Sequence, residues 1–390
     1  MESSAAVENR FIPAFLLSSA IFAVIGPYLP IMLRSLGYST ILIGIMLAVF
    51  EGAGIAGPIV FGHWADRSGK YRLLLLVSCI VPAALAFPLA LFVHPIVSAL
   101  FLAFMSFGFK PSVSLLDAAT TITIGETGNY GKIRVWGSIG YVLAVLWLQW
   151  TPVFTPDTAL NIAFWISFIA IITIVPVLIL PLDSHMDTHN RDNKEKTVKT
   201  NNNPWKNIIS VYFIAGFILI FSSRFSMAAF YTYLPLYLTE SMLWNAVGLM
   251  FALGALSEIP FILFSRKLII RFGPMSLLVL ASFAVIVRLL LLAFLPYKPA
   301  IVAAQLLHSL CFGIFYPASI AFISSVFPPE KRGIGMSLFL TLGTGLPILI
   351  GNMAGGFIVD LAGYRSLFIT YAVLSGVGML VYFILRKRLY

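Results

Sequence analysis

Residues 62–72 have the sequence GHWADRSGKYR, and this polar stretch separates two long apolar ones, Thr40–Phe61 and Arg72–Phe92. Each apolar stretch is close to the roughly 20 residues that an α-helix needs to cross a bilayer. The polar stretch carries one acid, Asp66, among several basic side chains, and Gly69 supplies the backbone freedom of a tight turn. The pattern therefore predicts two membrane helices joined by a short basic loop.

The rest of the chain has the same character. Its hydrophobic fraction is 60%, its charged fraction is 10%, and its mean hydropathy is +0.97. Apolar residues extend over the whole length, which excludes a chain of soluble domains and indicates that lipid is the solvent. The apolar stretch that begins at Phe11 is too long for the core of a signal peptide, so we expect it to be retained.

The sequence predicts an all-α integral membrane protein of twelve transmembrane helices, since no alternating outer-barrel pattern is present. The predicted spans are Phe11–Leu33, Thr40–Phe61, Arg72–Phe92, Pro95–Thr120, Ile133–Trp150, Thr158–Leu180, Asn207–Leu234, Asn245–Phe264, Pro274–Leu295, Pro299–Val326, Ile334–Val359 and Ser366–Leu385.

Basic residues predict the orientation. The net charge is +10, and most Lys and Arg residues lie in alternate loops, whereas the opposite loops hold only Arg34, Lys298 and Arg365. The positive-inside rule then places both termini in the cytoplasm of a multi-pass protein of the cell (inner or plasma) membrane. We read the charge as a topology signal, and we expect no nucleic-acid partner.

A long polar run divides the chain into two halves. Residues 182–206 have the composition of a solvated cytoplasmic linker, which leaves six-helix halves at residues 1–181 and 207–390. The basic turn at residues 62–72 has an equivalent at residues 265–273 of the second half. Equivalent loops predict two repeats related by an axis along the membrane normal.

Several ionisable residues lie inside predicted spans, and five of them are the candidates for function. A charge in hydrocarbon costs about 2.5–3.5 kcal/mol on insertion scales, so such groups usually pair, face water or have a function. Structural ion pairs and a hydrogen-bonded core histidine are the alternatives. The roles of Glu51, Lys110 and Arg224 stay open at this point. The five residues are Asp117, Arg134, Glu258, Arg288 and His308.

The loop after the second span resembles the signature motif of the major facilitator superfamily, Gly-x-x-x-Asp-Arg-x-Gly-Arg/Lys, and it has the expected position. The resemblance implies the major facilitator fold and a gating role for the motif. In particular, it implies that Asp66 faces the positive end of helix eleven near Gly333. The matching residues are Gly62, Asp66, Arg67, Gly69 and Lys70.

A second resemblance covers most of the chain. The segment Tyr130–Ser138 and the order of charged residues are similar to the proton-symporter branch that includes lactose permease, phenylpropionate permease and nucleoside symporters. This resemblance implies that Asp117 and Arg134 bind substrate beside an aromatic platform, Tyr141. It also implies that an acid, an arginine and a histidine on helices eight, nine and ten carry substrate and proton. The matching residues are Glu258, Arg288 and His308.

One departure from lactose permease concerns the proton site. Where lactose permease has a carboxylate one turn after the helix-ten histidine, this chain has Cys311. The protonated acid is then expected elsewhere, and Glu258 is the natural candidate.

We therefore predict a secondary active transporter that takes up a small polar organic solute, such as a sugar, nucleoside or aromatic acid, together with a proton. The alternatives are a proton-antiport exporter of drugs or lipids and a non-transporting membrane sensor. No hydrolase or phosphate-loop motif is present, so we expect no enzyme activity. We also expect no metal, no cofactor and a monomer whose partners are substrate, proton and lipid bilayer.

Overall fold

The computed structural model describes residues 4–125, 129–182 and 210–386, and the regular secondary structure in these ranges is helical. The principal helices are α1 (Ser4–Ser35), α2 (Thr40–Ser68), α3 (Tyr71–Leu91), α4 (Pro95–Ile124), α5 (Tyr130–Trp150), α6 (Ala159–Ile179), α7 (Val211–Ser241), α8 (Val247–Phe272), α9 (Pro274–Phe294), α10 (Lys298–Val326) and α11 (Arg332–Arg386).

Helix is the structure that an apolar chain adopts in lipid, because a helix satisfies its backbone hydrogen bonds within one segment. In the described ranges, ten helices are long and apolar enough to cross a membrane. The charged helix α5 is not among them. The 55-residue α11 is far longer than one crossing needs, and Gly363 breaks it with φ 76° and ψ 175°. The count of twelve spans stays a prediction.

Several helices contain wider π-helical turns that the sequence did not predict. They lie at Ala229–Tyr233 and Tyr237–Ser241 of α7, at Ser309–Ile314 of α10 and at Phe339–Gly345 of α11. Such turns occur often at functional sites, because they change the direction of side chains within a helix. Two of these segments adjoin the ionisable residues described below.

The helices form two compact units. One contains α1, α2 from Val49 onward and the helices α3 to α6, and the other contains Ser39–Ala48 and the helices from α7 onward. The start of α2, as far as Ala48, belongs to the second unit, where the Thr40 hydroxyl donates to the Asp360 carboxylate at 3.3 Å. The predicted linker lies outside the described residues except for Leu182, so the boundaries at 181 and 207 stay predictions.

Each unit has its own buried apolar core. Phe11, Leu74 and Leu115 belong to the core of the first unit, and Phe315 and Phe322 belong to that of the second. Because lipid tails are as apolar as leucine, helices in a membrane associate by close packing rather than by the hydrophobic effect. Small residues at helix crossings are therefore expected to carry much of the stability.

Gly140 of α5 shows how close one crossing is. A Cβ atom at this position would lie 2.7 Å from the Leu16 Cα of α1, a separation that real Cβ atoms do not show. The neighbouring atoms are backbone, so they cannot move aside as a flexible side chain could.

We expect Gly140→Ala to lower the free energy of unfolding by about 1–3 kcal/mol, because the added methyl forces α1 and α5 apart. The measurement is unfolding of the purified protein in mixed micelles. Gly376→Ala in α11 is the matched control, since a Cβ there meets nothing within 4 Å. Equal stability of the two variants would contradict this account of the crossing.

Candidate functional site

A first group of ionisable residues lies where α4 approaches the start of α5. Asn129 begins α5 by accepting a hydrogen bond from the Lys132 amide at 3.0 Å, as an N-cap residue does. One turn later Arg134 projects from the same helix face as Tyr130. Arg134 Nε lies 3.4 Å from Asp117 Oδ1, and the Tyr130 hydroxyl is hydrogen bonded to the same carboxylate.

The geometry of this ion pair leaves both partners able to bind something else. The distance of 3.4 Å is longer than a normal N–H···O hydrogen bond of about 2.7–3.2 Å. The side chains of Arg134 and Asp117 are 40% and 32% exposed. Tyr141, which is half-buried, lies two turns further along α5 and so shares the face of Arg134. The pair therefore has the accessibility that a solute-binding clamp needs.

Gly137 gives the Arg134 guanidinium its space. A Cβ at Gly137 would lie 2.9 Å from Arg134 Nη1 and 2.9 Å from the Ser19 hydroxyl of α1. The position of the Arg134 guanidinium thus depends on Gly137, one turn away, which has no Cβ atom to occupy this space. This dependence was not predicted from the sequence, although Gly137 lies within the segment that carried the second resemblance.

Lys110 has a carboxylate partner within the same unit. Its Nζ lies 2.6 Å from Glu51 Oε2 and 5.0 Å from the centre of the Phe50 ring. The side chain reaches across Gly54, where a Cβ would lie 2.8 Å from Lys110 Cε. The sequence left the roles of Lys110 and Glu51 open. In the structure the two residues form an ion pair, in which each charge neutralises the other.

The second unit holds a continuous buried network. Glu258 Oε1 of α8 lies 2.9 Å from His308 Nε2 of α10, and His308 Nδ1 lies 3.0 Å from Arg288 Nη1 of α9. Arg288 Nη2 donates to Gln305 Oε1 at 2.6 Å, and the Gln305 amide donates to the Met250 carbonyl at 3.1 Å. Arg288 is 1% exposed and Gln305 is 4% exposed. The structure thus brings the three residues of helices eight to ten into direct contact.

Hydrogen-bonding chemistry fixes the state of His308 in this network. A guanidinium can only donate, so the contact with Arg288 requires His308 Nδ1 to accept. The hydrogen of a neutral imidazole is then on Nε2, from which it is donated to the Glu258 carboxylate. A charged imidazolium would set one N–H group against another at Arg288. The network therefore favours a neutral histidine and an ionised Glu258.

Small residues let α8 and α10 approach closely enough for this contact. A Cβ at Gly254 would lie 3.2 Å from His308 Cδ2, and a Cβ at Gly313 would lie 3.2 Å from the Glu258 carbonyl oxygen. Both separations are tighter than ordinary van der Waals contact. A methyl group at either position would press on the Glu258–His308 pair.

Sequence reasoning missed two partners of Arg288. Phe230 lies in the first π-helical segment of α7, with its ring centre 3.7 Å from the guanidinium carbon. Gln305 lies one turn before His308, and this spacing is the signal that could have identified it. Cys311, which replaces the expected carboxylate, is fully buried in the π-helical segment of α10.

The predicted loop at residues 62–72 is mostly helical in the structure, because α2 continues to Ser68 and only Gly69 and Lys70 separate it from α3. Local contacts order this segment. The Tyr71 hydroxyl donates to Asp66 Oδ1 at 2.6 Å, and Gly69 has a left-handed φ of 71°. Arg72 donates to the Leu180 carbonyl at 2.6 Å, which ties α3 to the end of α6. Arg67 and Lys70 are exposed. The gating contact near residue 333 stays a prediction.

One cavity is unrelated to these groups. An apolar groove of about 330 Å³ lies between α7 and the last part of α11, where its lining includes Phe221, Leu374 and Val381. Its lining residues carry no ionisable side chain, so it lacks the chemistry to hold a polar solute or a proton.

The sequence matches the model of the MFS_1 like family over residues 12–370. The chain belongs to this family. It is 25% identical to the uncharacterized transporter YwbF of Bacillus subtilis, over 98% of this chain and 94% of the relative. It is also 25% identical to the maltose permease of Geobacillus stearothermophilus, over 96% of this chain and 92% of the relative.

Structural comparison gives the same fold. A crystal structure of a variant of the nucleoside transporter NupG has a TM-score of 0.82 and 16% identity, and the match covers 97% of this chain and 99% of that one. The predicted all-α membrane fold of the major facilitator superfamily is confirmed, as is the first resemblance. The protein is a multi-pass membrane transporter and not an enzyme.

We expect Arg134→Lys to weaken substrate binding although the charge is kept, because the planar fork of donors is lost. Loss of a hydrogen bond to a charged group corresponds to roughly a 10- to 100-fold lower affinity. Gly137→Ala should weaken binding as well, since it displaces the guanidinium. Binding is measured by ligand-dependent thermal stabilisation of purified protein, with maltose, uridine and 3-phenylpropionate as probes.

Lys132→Arg on the exposed surface of α5 is the control, and it should bind as the wild type does. Unchanged affinity in both Arg134→Lys and Gly137→Ala would reduce Arg134 to a structural partner of Asp117.

Proposed function

We propose that this transporter takes up a small polar organic solute together with a proton, by alternating access. The observation that carries the proposal is the buried chain of contacts from Glu258 through His308 to Arg288. Ionisable residues at membrane depth are costly, and those that persist commonly form relays for ions and protons. A carboxylate in direct contact with a histidine has the chemistry that proton exchange requires.

Glu258 is the proposed proton carrier. Its side chain is 15% exposed and that of His308 is 16% exposed, so both are largely removed from water while remaining reachable. Glu258 would take up and release the coupled proton as its distance from His308 and Arg288 changes during the transport cycle. His308 positions the carboxylate and stays neutral.

Asp117, Arg134 and Tyr141 are the proposed contacts for the solute in the first unit. The carboxylate accepts hydrogen bonds, the guanidinium donates them, and the aromatic ring offers a flat surface. Glu258 and His308 would contribute further polar contacts in the second unit. Similar proteins named for maltose and for nucleosides support a small organic solute with polar groups.

The proposed function also includes an orientation in the membrane, an oligomeric state and a role for the signature segment. We propose that the protein works as a monomer in the cell membrane with both termini in the cytoplasm, as the distribution of Lys and Arg indicates. The signature segment with Gly62, Asp66, Arg67, Gly69 and Lys70 would control the exchange between conformations. The partners of the whole protein would be the solute, the proton and the bilayer.

Export by proton antiport is the alternative within transport. Exporters of drugs or lipids commonly have more apolar cavities, whereas this chain has ionisable pairs within its membrane helices α4, α5, α8, α9 and α10. The direction of proton movement on addition of solute separates the two functions. Symport predicts that the external medium becomes alkaline when solute is added outside.

We expect Glu258→Gln to abolish solute accumulation against a gradient while counterflow exchange persists in part. The amide keeps a polar contact with His308 but cannot take up and release a proton near neutral pH. The measurement uses proteoliposomes with an imposed pH gradient and the probe that stabilises the purified protein. Proton uptake is followed with an external pH-sensitive dye.

Glu240→Gln is the matched control, because Glu240 is exposed and hydrogen bonded to Tyr364 at 2.6 Å. It should accumulate solute normally. Accumulation by Glu258→Gln at the wild-type level would place the proton site elsewhere. Acidification of the medium by the wild type would instead favour antiport.

A further inference from the structure

Arg224 of α7 is buried without a carboxylate partner. The residue is 6% exposed, and its Nε and Nη1 atoms make no hydrogen bond within the described residues. Its neighbours are aromatic rings: the centres of Phe315, Phe312 and Tyr231 lie 5.1, 5.3 and 5.9 Å from the guanidinium carbon. The Tyr231 hydroxyl is its one hydrogen-bonding partner in the described part of the chain.

Other cationic side chains inside the described helices have polar partners. Lys110 and Arg134 each lie within 4 Å of a carboxylate, and Arg288 donates to Gln305 and His308. Aromatic rings attract a guanidinium but do not neutralise it. Arg224 is therefore left with two unpaired donor atoms, Nε and Nη1, each of which can donate to a carboxylate oxygen.

The charges around Arg224 do not balance. Arg224 lies close enough to His308 to interact with it electrostatically, so it belongs with the Glu258–His308–Arg288 network. With His308 neutral, this group has two arginine cations and one carboxylate, which leaves one positive charge in excess. Cys311 and Tyr231, the other titratable neighbours, are uncharged in their ordinary states near neutral pH. A single anion would complete the site.

We propose that Arg224 binds the carboxylate of the substrate, and that the substrate is an organic monoacid with an apolar or aromatic body. The inference rests on the proposed proton symport and specifies its substrate class. A monoanion matches the single excess charge, whereas a phosphate ester would carry more than one negative charge. The rings of Tyr231, Phe312 and Phe315 provide the apolar surface beside the charged group.

Binding of a carboxylate at Arg224 determines which gradient drives uptake. One carboxylate that enters with one proton moves no net charge across the membrane. Uptake of the acid is then driven by a pH gradient and is insensitive to the membrane potential. Uptake of a neutral sugar or nucleoside with one proton would respond to both.

The test compares an acid with its neutral analogue on the full-length purified protein. The probes are 3-phenylpropionate and 3-phenylpropionamide, which have the same size, together with gluconate and glucose as a hydrophilic pair. We expect 3-phenylpropionate to stabilise the wild type, and its amide and the hydrophilic pair to have little effect. Arg224→Gln should lower the apparent affinity for the acid roughly 10- to 100-fold.

Arg271→Gln is the matched control. Arg271 also faces an aromatic ring, Phe272 at 5.3 Å, but it is exposed, so its removal should leave acid binding unchanged. Should Arg224→Gln fold poorly, Arg224→Lys keeps the charge and should retain weakened binding with the preference for the acid intact. A purely structural Arg224 would alter the melting temperature of both variants without altering the preference between acid and amide.

Transport in proteoliposomes completes the test. Uptake of labelled 3-phenylpropionate should follow an imposed pH gradient and should not respond to a membrane potential set by potassium and valinomycin. Equal binding of 3-phenylpropionate and its amide, failure of 3-phenylpropionate to bind, tighter binding of gluconate, or uptake of acid driven by the potential alone would overturn the inference. Arg224-dependent acid binding with uptake indifferent to pH would instead overturn proton coupling and leave the substrate class standing.

Discussion

Lipid cannot solvate charge, and this constraint organises the molecule. A backbone in hydrocarbon must satisfy its own hydrogen bonds, which makes the described structure helical. A charged side chain there must find a partner, which explains why Lys110 meets Glu51, Asp117 meets Arg134, and Glu258 meets His308. Close helix crossings at glycine, such as Gly254 against His308, bring these partners within reach. The candidate site is thus a consequence of packing as much as of composition.

Much of this arrangement was readable from the sequence. Long apolar stretches indicate membrane helices, and a charge inside one of them identifies a residue that needs a partner. Spacing alone does not tell which partner is chosen, because that depends on how each helix is rotated about its axis. Lys110 and Glu51 were therefore left open, and Gln305 and Phe230 were missed. The π-helical segments at Ala229–Tyr233 and Ser309–Ile314 were also unpredictable, since they alter that rotation locally.

The two units contribute different chemistry. In the first, the partly exposed Asp117–Arg134 pair would offer an acceptor and a donor to a solute. In the second, a buried network holds His308 between a carboxylate and a guanidinium, so that its two ring nitrogens have opposite hydrogen-bonding roles. The guanidinium of Arg224, which has no carboxylate partner among the described residues, lies close to this network. Substrate and proton would therefore act on the same group of side chains, and such shared contacts are what couples their binding.

The central claim is that Glu258 gains and loses the coupled proton while His308 stays neutral. Infrared difference spectroscopy of the protein in bilayers, recorded between neutral and acidic pH, tests it directly. The account predicts a protonated-carboxyl band that disappears in Glu258→Gln. It also predicts no imidazolium signal in isotope-labelled protein that retains His308 as its only histidine. A band that persists in Glu258→Gln, or a proton that appears on His308, would contradict the account.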